Sequence, residues 1–171
     1  MRQAGQNQYY WPGTNHHVQL SRMNRIRDSL FISNAPSVRD LPDDHDFDEV
    51  VTLGYLDSFG YERPAASTTN DEFVFPDGPH DYERFEAAVE YVLNALDRGD
   101  RVLVHCQAGV SRSGGVCSVV LADHDDMSLS DALRDVQAAR DVVNPAPEIR
   151  DSMTQYTGDD IDQPAVGYNN L

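Results

Sequence analysis

The sequence predicts an α/β fold, a single three-layer α/β/α domain with a mostly parallel central sheet. Short apolar, β-branched runs alternate with longer stretches of helical period, the pattern of strands joined through crossover helices. Within Arg101–Gly115, RVLVHCQAGVSRSGG, an apolar run passes through a tight loop into the apolar stretch 116–122. That is strand, loop, helix, and the strand reads as a buried central one. A length of 171 residues suits one domain with a real core.

Taken in order, residues 1–20 are rich in Gln, Asn, Tyr and Gly and show no period, so they read as a flexible arm carrying Trp11, His16 and His17. The domain is placed at 21–157. Met23–Asn34 reads as two short strands joined at Arg27-Asp28-Ser29, and 36–41 as a short helix. Val50–Leu53 is a strand closed by Gly54, and 55–71 is a long loop. Glu72–Phe75 is expected to be a short strand, ended by the turn Pro76-Asp77-Gly78-Pro79. Asp81 is placed as the N-cap of a helix whose apolar face is Phe85, Ala88, Val89, Val92, Leu93 and Leu96. After the loop helix, Ser128 or Ser130 caps a helix with the stripe Leu129, Ala132, Leu133, Val136 and Ala139. Asn144-Pro145-Ala146-Pro147 breaks it, a last helix runs over 148–156, and 158–171 reads as a disordered acidic tail.

The chemistry concentrates at 105–113. A loop feeding a helix N-terminus presents unpaired N–H groups together with the positive end of the helix dipole. Such a cradle binds a phosphate dianion, and the fork of Arg112 matches two phosphoryl oxygens. The same field favours the thiolate of a cysteine at the loop's first position, here Cys106. Gln107, Ala108, Gly109, Val110 and Ser111 would contribute backbone N–H groups, with Gly109 giving the chain room to turn. His105 is read as orienting the loop rather than carrying a proton. Cys106 would lie at the carboxyl end of a central strand, where open sheets bind ligands.

His105-Cys106-Gln107-Ala108-Gly109-Val110-Ser111-Arg112-Ser113 resembles the His-Cys-x5-Arg-Ser/Thr signature of cysteine-dependent protein phosphatases, and 108–113 is most similar to the dual-specificity branch. Arg25-Ile26 followed by Leu30-Phe31-Ile32-Ser33 is similar to the segment that opens that domain, and the looser likeness extends from about Arg25 to Tyr156. The resemblance implies a protein tyrosine phosphatase-like fold and hydrolysis of phosphomonoesters through a cysteinyl-phosphate on Cys106, with no cofactor and no metal. It implies Arg112 on the phosphoryl group and Ser113 as the hydroxyl that stabilises the departing thiolate. It also implies a general acid on a loop some thirty residues before the cysteine. Asp77, 29 residues upstream in an exposed turn, fits best, with Asp71 and Asp81 as rivals. The expected partner is a phosphorylated protein carrying phosphotyrosine, with phosphoserine and phosphothreonine as further substrates. A small-molecule or lipid phosphatase and a phosphate-binding module without turnover remain as alternatives. The loop lacks the Lys of phosphoinositide-directed relatives.

Composition bounds the remaining classes. Acidic residues outnumber basic ones 29 to 13, giving a formal charge of −16 and no Lys at all. A basic face for nucleic acid is therefore excluded. No stretch is long and apolar enough to span a membrane, and a cytoplasmic protein is expected. The Asp-rich surface resembles that of proteins from salt-loving archaea. In roughly 1 M salt the Debye length falls to about 3 Å, which screens such self-repulsion. An acidic patch recruiting a basic partner is the competing reading. Cys117 reads as a small core residue, and no residues have convincing metal spacing.

Overall fold

The computed structural model describes residues 23–55 and 62–166. The arm at 1–20, with Trp11, His16 and His17, lies outside the described residues. The elements are β1 (Asn24–Arg27), β2 (Leu30–Asn34), α1 (Ala35–Arg39), β3 (Glu49–Thr52), α2 (Tyr82–Asp97), β4 (Val102–Cys106), α3 (Arg112–His124), α4 (Leu129–Ala139) and α5 (Pro147–Thr157). The sheet order is β1-β2-β4-β3, with β1 antiparallel to β2 and the two pairings of β4 parallel. β4, apolar throughout except at His105, is central, as its unbroken burial requires.

Strand alternation divides the core in two. Leu30, Ile32, Val51, Val102, Val104 and Cys106 join the larger cluster with α2, α3, α4 and α5. Phe31, Val50 and Leu103 face the other way and pack with Val38 of α1, Leu41 and Phe47. Phe31 and Phe47 meet edge-on at 5.1 Å. The three layers are therefore uneven, with four helices on one face and one short helix plus a loop on the other. α3, buried from Ser113 to Ala122, is the helix that the others surround. The apolar stripe of α2 is buried at Phe85, Ala88, Val89, Val92 and Ala95, while Leu93 and Leu96 are half-buried at its margin. Asn34 caps α1 and Ser128 caps α4 through their side-chain oxygens.

Two expectations change. Glu72–Phe75 is not a strand, because Asp71–Phe73 forms a single 3-10 turn. The alternation is real, since Phe73 and Phe75 are both buried. The carbonyls of Asp71, Glu72 and Val74, however, all accept from Arg84 Nη1 instead of a neighbouring strand. Only Phe75 N, donating to Leu53 O at 3.1 Å, continues from β3. Part of the long loop covers the open edge of β3 instead, with Thr68 N on Val50 O at 3.0 Å and Thr69 Oγ1 accepting from Thr52 N at 3.2 Å.

The acidic tail is the second change, because residues 158–166 lie back on α4 and α5. Asp159 accepts from Leu129 N, Asp162 pairs with Arg134, and Arg150 Nη1 donates to Gln163 O. The carboxylates that suggested a solvated tail find helix-end donors and arginines. Residues 167–171 lie outside the described residues.

Candidate active site

β4 delivers Cys106 between its two parallel neighbours, opposite Asn34 of β2, with His105 opposite Ser33 of β2 and Thr52 of β3. Residues 107–111 then turn into α3. The carbonyls of Gln107 to Val110 are all held from outside. Gln107 O accepts from Ala35 N at 3.1 Å, and Val110 O accepts from Asn144 N at 2.9 Å. Between them Ala108 O and Gly109 O accept from Arg140 Nη2 and Nε at 3.0 and 2.8 Å. In a trans peptide the carbonyl of one residue and the N–H of the next point opposite ways. Four carbonyls turned outward therefore turn the N–H groups of Ala108, Gly109, Val110 and Ser111 toward the mouth of the loop. Gly109 makes this possible with φ +67.

The helix end completes the cradle. Ser111 is the N-cap of α3, yet its side chain does not cap the helix. Its Oγ instead accepts from Ala146 N at 2.8 Å. The first N–H groups of α3 are thereby left for an anion. Arg112 adds its guanidinium, with Nη1 donating to Phe75 O at 2.8 Å. Its Nε is buried and has no partner among the described residues, a donor that calls for an acceptor. Below them, Cys106 Sγ lies 3.2 Å from Ser113 Oγ, and both side chains are buried.

His105 lies fully buried on the sheet face opposite Cys106. Its Nδ1 is 3.1 Å from Cys106 O and its Nε2 is 2.7 Å from Thr52 Oγ1, which in turn contacts Ser67 Oγ at 2.7 Å. A carbonyl only accepts, so Nδ1 carries the proton and Nε2 accepts from Thr52. Burial pulls the ring down to about 4, aided by the charges of Arg39 and Arg112, so it is neutral at ordinary pH. The ring fixes the peptide that follows Cys106.

The remaining residues sort by position. Asp77 is exposed on the turn that follows Phe75, the residue whose carbonyl holds Arg112. Asp71 Oδ1 is engaged by Tyr55 Oη and Arg63 Nη1. Asp81 opens α2 without a side-chain capping bond. Cys117 is buried in α3, unpaired, and burial raises its thiol. Three residues of the site carried no signal in the sequence. Arg140 clasps the loop and donates its third group, Nη1, to Asn24 Oδ1 at 3.0 Å. Thr52 seats His105. Gly54 supplies the space for Arg112, since a Cβ there would lie 2.1 Å from Nη1 and 2.5 Å from Cζ.

Residues 79–159 match the family model described as dual specificity phosphatase, catalytic domain. Over that segment the chain is similar to the catalytic domain of dual specificity phosphatases. The match covers just under half of the chain, takes in the whole cradle and begins two residues after Asp77. Dual specificity protein phosphatase 1 of Mus musculus is 32% identical over 72 residues, which are 42% of this chain and 20% of that protein. Dual specificity protein phosphatase 2 of Mus musculus is 38% identical over 61 residues, 36% of this chain and 19% of that protein. The matched segments span no more than about a fifth of the curated relatives' lengths. Among solved structures, human DUSP28 superposes with a TM-score of 0.63 at 20% identity, covering 80% of this chain and 93% of that one. Tk-PTP in the active form gives 0.64 at 22% identity, covering 80% and 97%. These two likenesses bear on the fold, which is protein tyrosine phosphatase-like.

The His105 geometry predicts a pH effect. Its folded value of about 4 lies below the ordinary 6.5, so between those limits the unfolded chain binds more protons and stability rises with pH. At about 1.4 kcal/mol per unit, the ring contributes up to about 3 kcal/mol, fully present above pH 6.5 and lost on acidification toward 4. Denaturant titrations of His105→Gln should show a correspondingly shallower acid limb than wild type, and equal limbs would contradict the assignment. Gly54→Ala should weaken binding of inorganic phosphate about tenfold by displacing the guanidinium, with little change in Tm, and unaltered affinity would show that Arg112 tolerates the methyl.

Proposed function

We propose that the chain hydrolyses phosphomonoesters on proteins through a cysteinyl-phosphate on Cys106. The observation that carries this reading is the cradle itself. Outward-held carbonyls and an uncapped helix end surround a cysteine whose sulfur lies 3.2 Å from the Ser113 hydroxyl. The thiolate of Cys106 attacks phosphorus while the ester P–O bond breaks. The inward N–H groups and Arg112 stabilise the charge on the three equatorial oxygens. The leaving oxygen takes a proton from Asp77, whose carboxylate then takes one from the water that attacks the phosphoenzyme. As the S–P bond breaks, the Ser113 hydroxyl donates to the returning thiolate and inorganic phosphate leaves.

Asp77 is preferred to Asp71 on placement. Asp71 is occupied by Tyr55 and Arg63, whereas Asp77 sits in a turn whose preceding carbonyl is bonded to Arg112. Phosphotyrosine in proteins is the proposed substrate, with phosphoserine and phosphothreonine beside it, and the names of the curated relatives support this. A cytoplasmic setting at high ionic strength belongs to the same proposal. It is supported by two unpaired thiols, by the charge of −16 and by the absence of Lys. Among the described residues no helix is long and apolar enough to cross a membrane.

In near-molar KCl, phosphotyrosyl and phosphoseryl peptides should be turned over by wild type with a quench-trapped phosphate on Cys106. Cys106→Ser should abolish turnover while retaining vanadate binding. Arg112→Lys, which keeps the charge but loses the fork, should lower kcat/KM at least about a hundredfold. Turnover by Cys106→Ser would overturn the covalent route, and preference for an inositol phosphate or phospholipid in the same panel would overturn the protein substrate.

A further inference from the structure

We infer that His80 is a positioning residue for the general acid, locking the Asp77 turn to α5 and, through α5, to the phosphate cradle. This rests on the proposed role of Asp77. The turn Pro76-Asp77-Gly78-Pro79 is short, and it is held at both ends. At its start Phe75 O accepts from Arg112 Nη1 at 2.8 Å. At its end the ring of His80 reaches in two directions, with Nδ1 2.7 Å from Gly78 O and Nε2 2.7 Å from Ser152 Oγ. Gly78 O only accepts, so Nδ1 donates to it, and Nε2 shares a hydrogen bond with the Ser152 hydroxyl. Both ring nitrogens are then used. The ring also lies against Phe75 and Phe85, with centroids 5.1 and 6.3 Å away, which fixes its tilt from the core side.

The partner of His80 is already tied to the cradle. Ser152 is buried on α5, and α5 packs by Ile149 and Met153 into the cluster that holds Val116 and Cys117 of α3. At the N-terminus of α5, Ala146 N donates to Ser111 Oγ, at the last residue of the phosphate loop. One helix therefore touches both halves of the chemistry. Ser111 fixes its first turn against the anion site, and Ser152 fixes the end of the acid turn. Two prolines stiffen the four residues between the clamps. The pair sets the height of Asp77 above the leaving group, where a displacement of about 1 Å suffices for a large loss of rate.

The test compares substrates that differ in their need for an acid. For His80→Ala, kcat on phenyl phosphate should fall about tenfold more than kcat on p-nitrophenyl phosphate, with KM near wild type. Ser152→Ala should show the same selectivity to a smaller degree, and it carries the test if His80→Ala does not fold. In the Asp77→Asn background, which itself should show a strong dependence on the leaving group, His80→Ala should add little. Equal slowing of both substrates by His80→Ala and Ser152→Ala, beside a leaving-group-dependent Asp77→Asn, would overturn the inference alone. An Asp77→Asn variant that slows both substrates equally would overturn the acid assignment, and the inference with it.

Discussion

The constraint on which the site depends is the outward pull on four consecutive carbonyls. Backbone groups at Gln107 to Val110 have no strand or helix to satisfy them, and leaving buried ones unpaired costs about 1–3 kcal/mol each. The fold supplies partners from three places: Ala35 at the start of α1, Arg140 beyond the end of α4, and Asn144 before α5. Once those bonds form, the opposite side of the same peptides has no choice of direction. The anion site is thus the other face of a stability requirement, which is why its amides are in place before any ligand arrives.

Electrostatics sharpens the point. The chain carries −16, yet the ligand proposed for its cradle is a dianion. At about 0.15 M salt the Debye length is roughly 8 Å, so distant carboxylates are felt weakly while Arg112 and the α3 dipole act at contact distance. Local geometry prevails over net charge inside the loop. On the approach from solvent the acidic surface opposes an anionic substrate, and added salt relieves that opposition. An acidic composition and the proposed phosphate site are compatible for this reason.

What the sequence disclosed follows from range. The strand–loop–helix around Cys106 is local, its residues lie within one stretch, and the periodicities of α2 and α4 are strong, so these were legible. The 3-10 turn at Asp71–Phe73 was not, because the alternation of Phe73 and Phe75 looks the same whether or not a partner strand exists. The packing of 158–166 was hidden for a related reason, since Asp159 and Asp162 read as solvated until Leu129 N and Arg134 come beside them. Arg140 reaches Asn24, 116 positions away, and His80 reaches Ser152 across 72. No pattern within a window marks either. Gly54 read as the end of a strand, and only the path of the Arg112 side chain gives it a second purpose.

Outward carbonyls make the inward cradle. Arg140 holds two of them from outside and is not in the mouth of the loop. Calorimetric titration of Arg140→Gln with vanadate measures the consequence without any assumption about substrate. With secondary structure retained by circular dichroism, binding should be at least about tenfold weaker, because Ala108 and Gly109 lose the donors that turn their peptides. Affinity equal to that of wild type in a folded Arg140→Gln protein would contradict it.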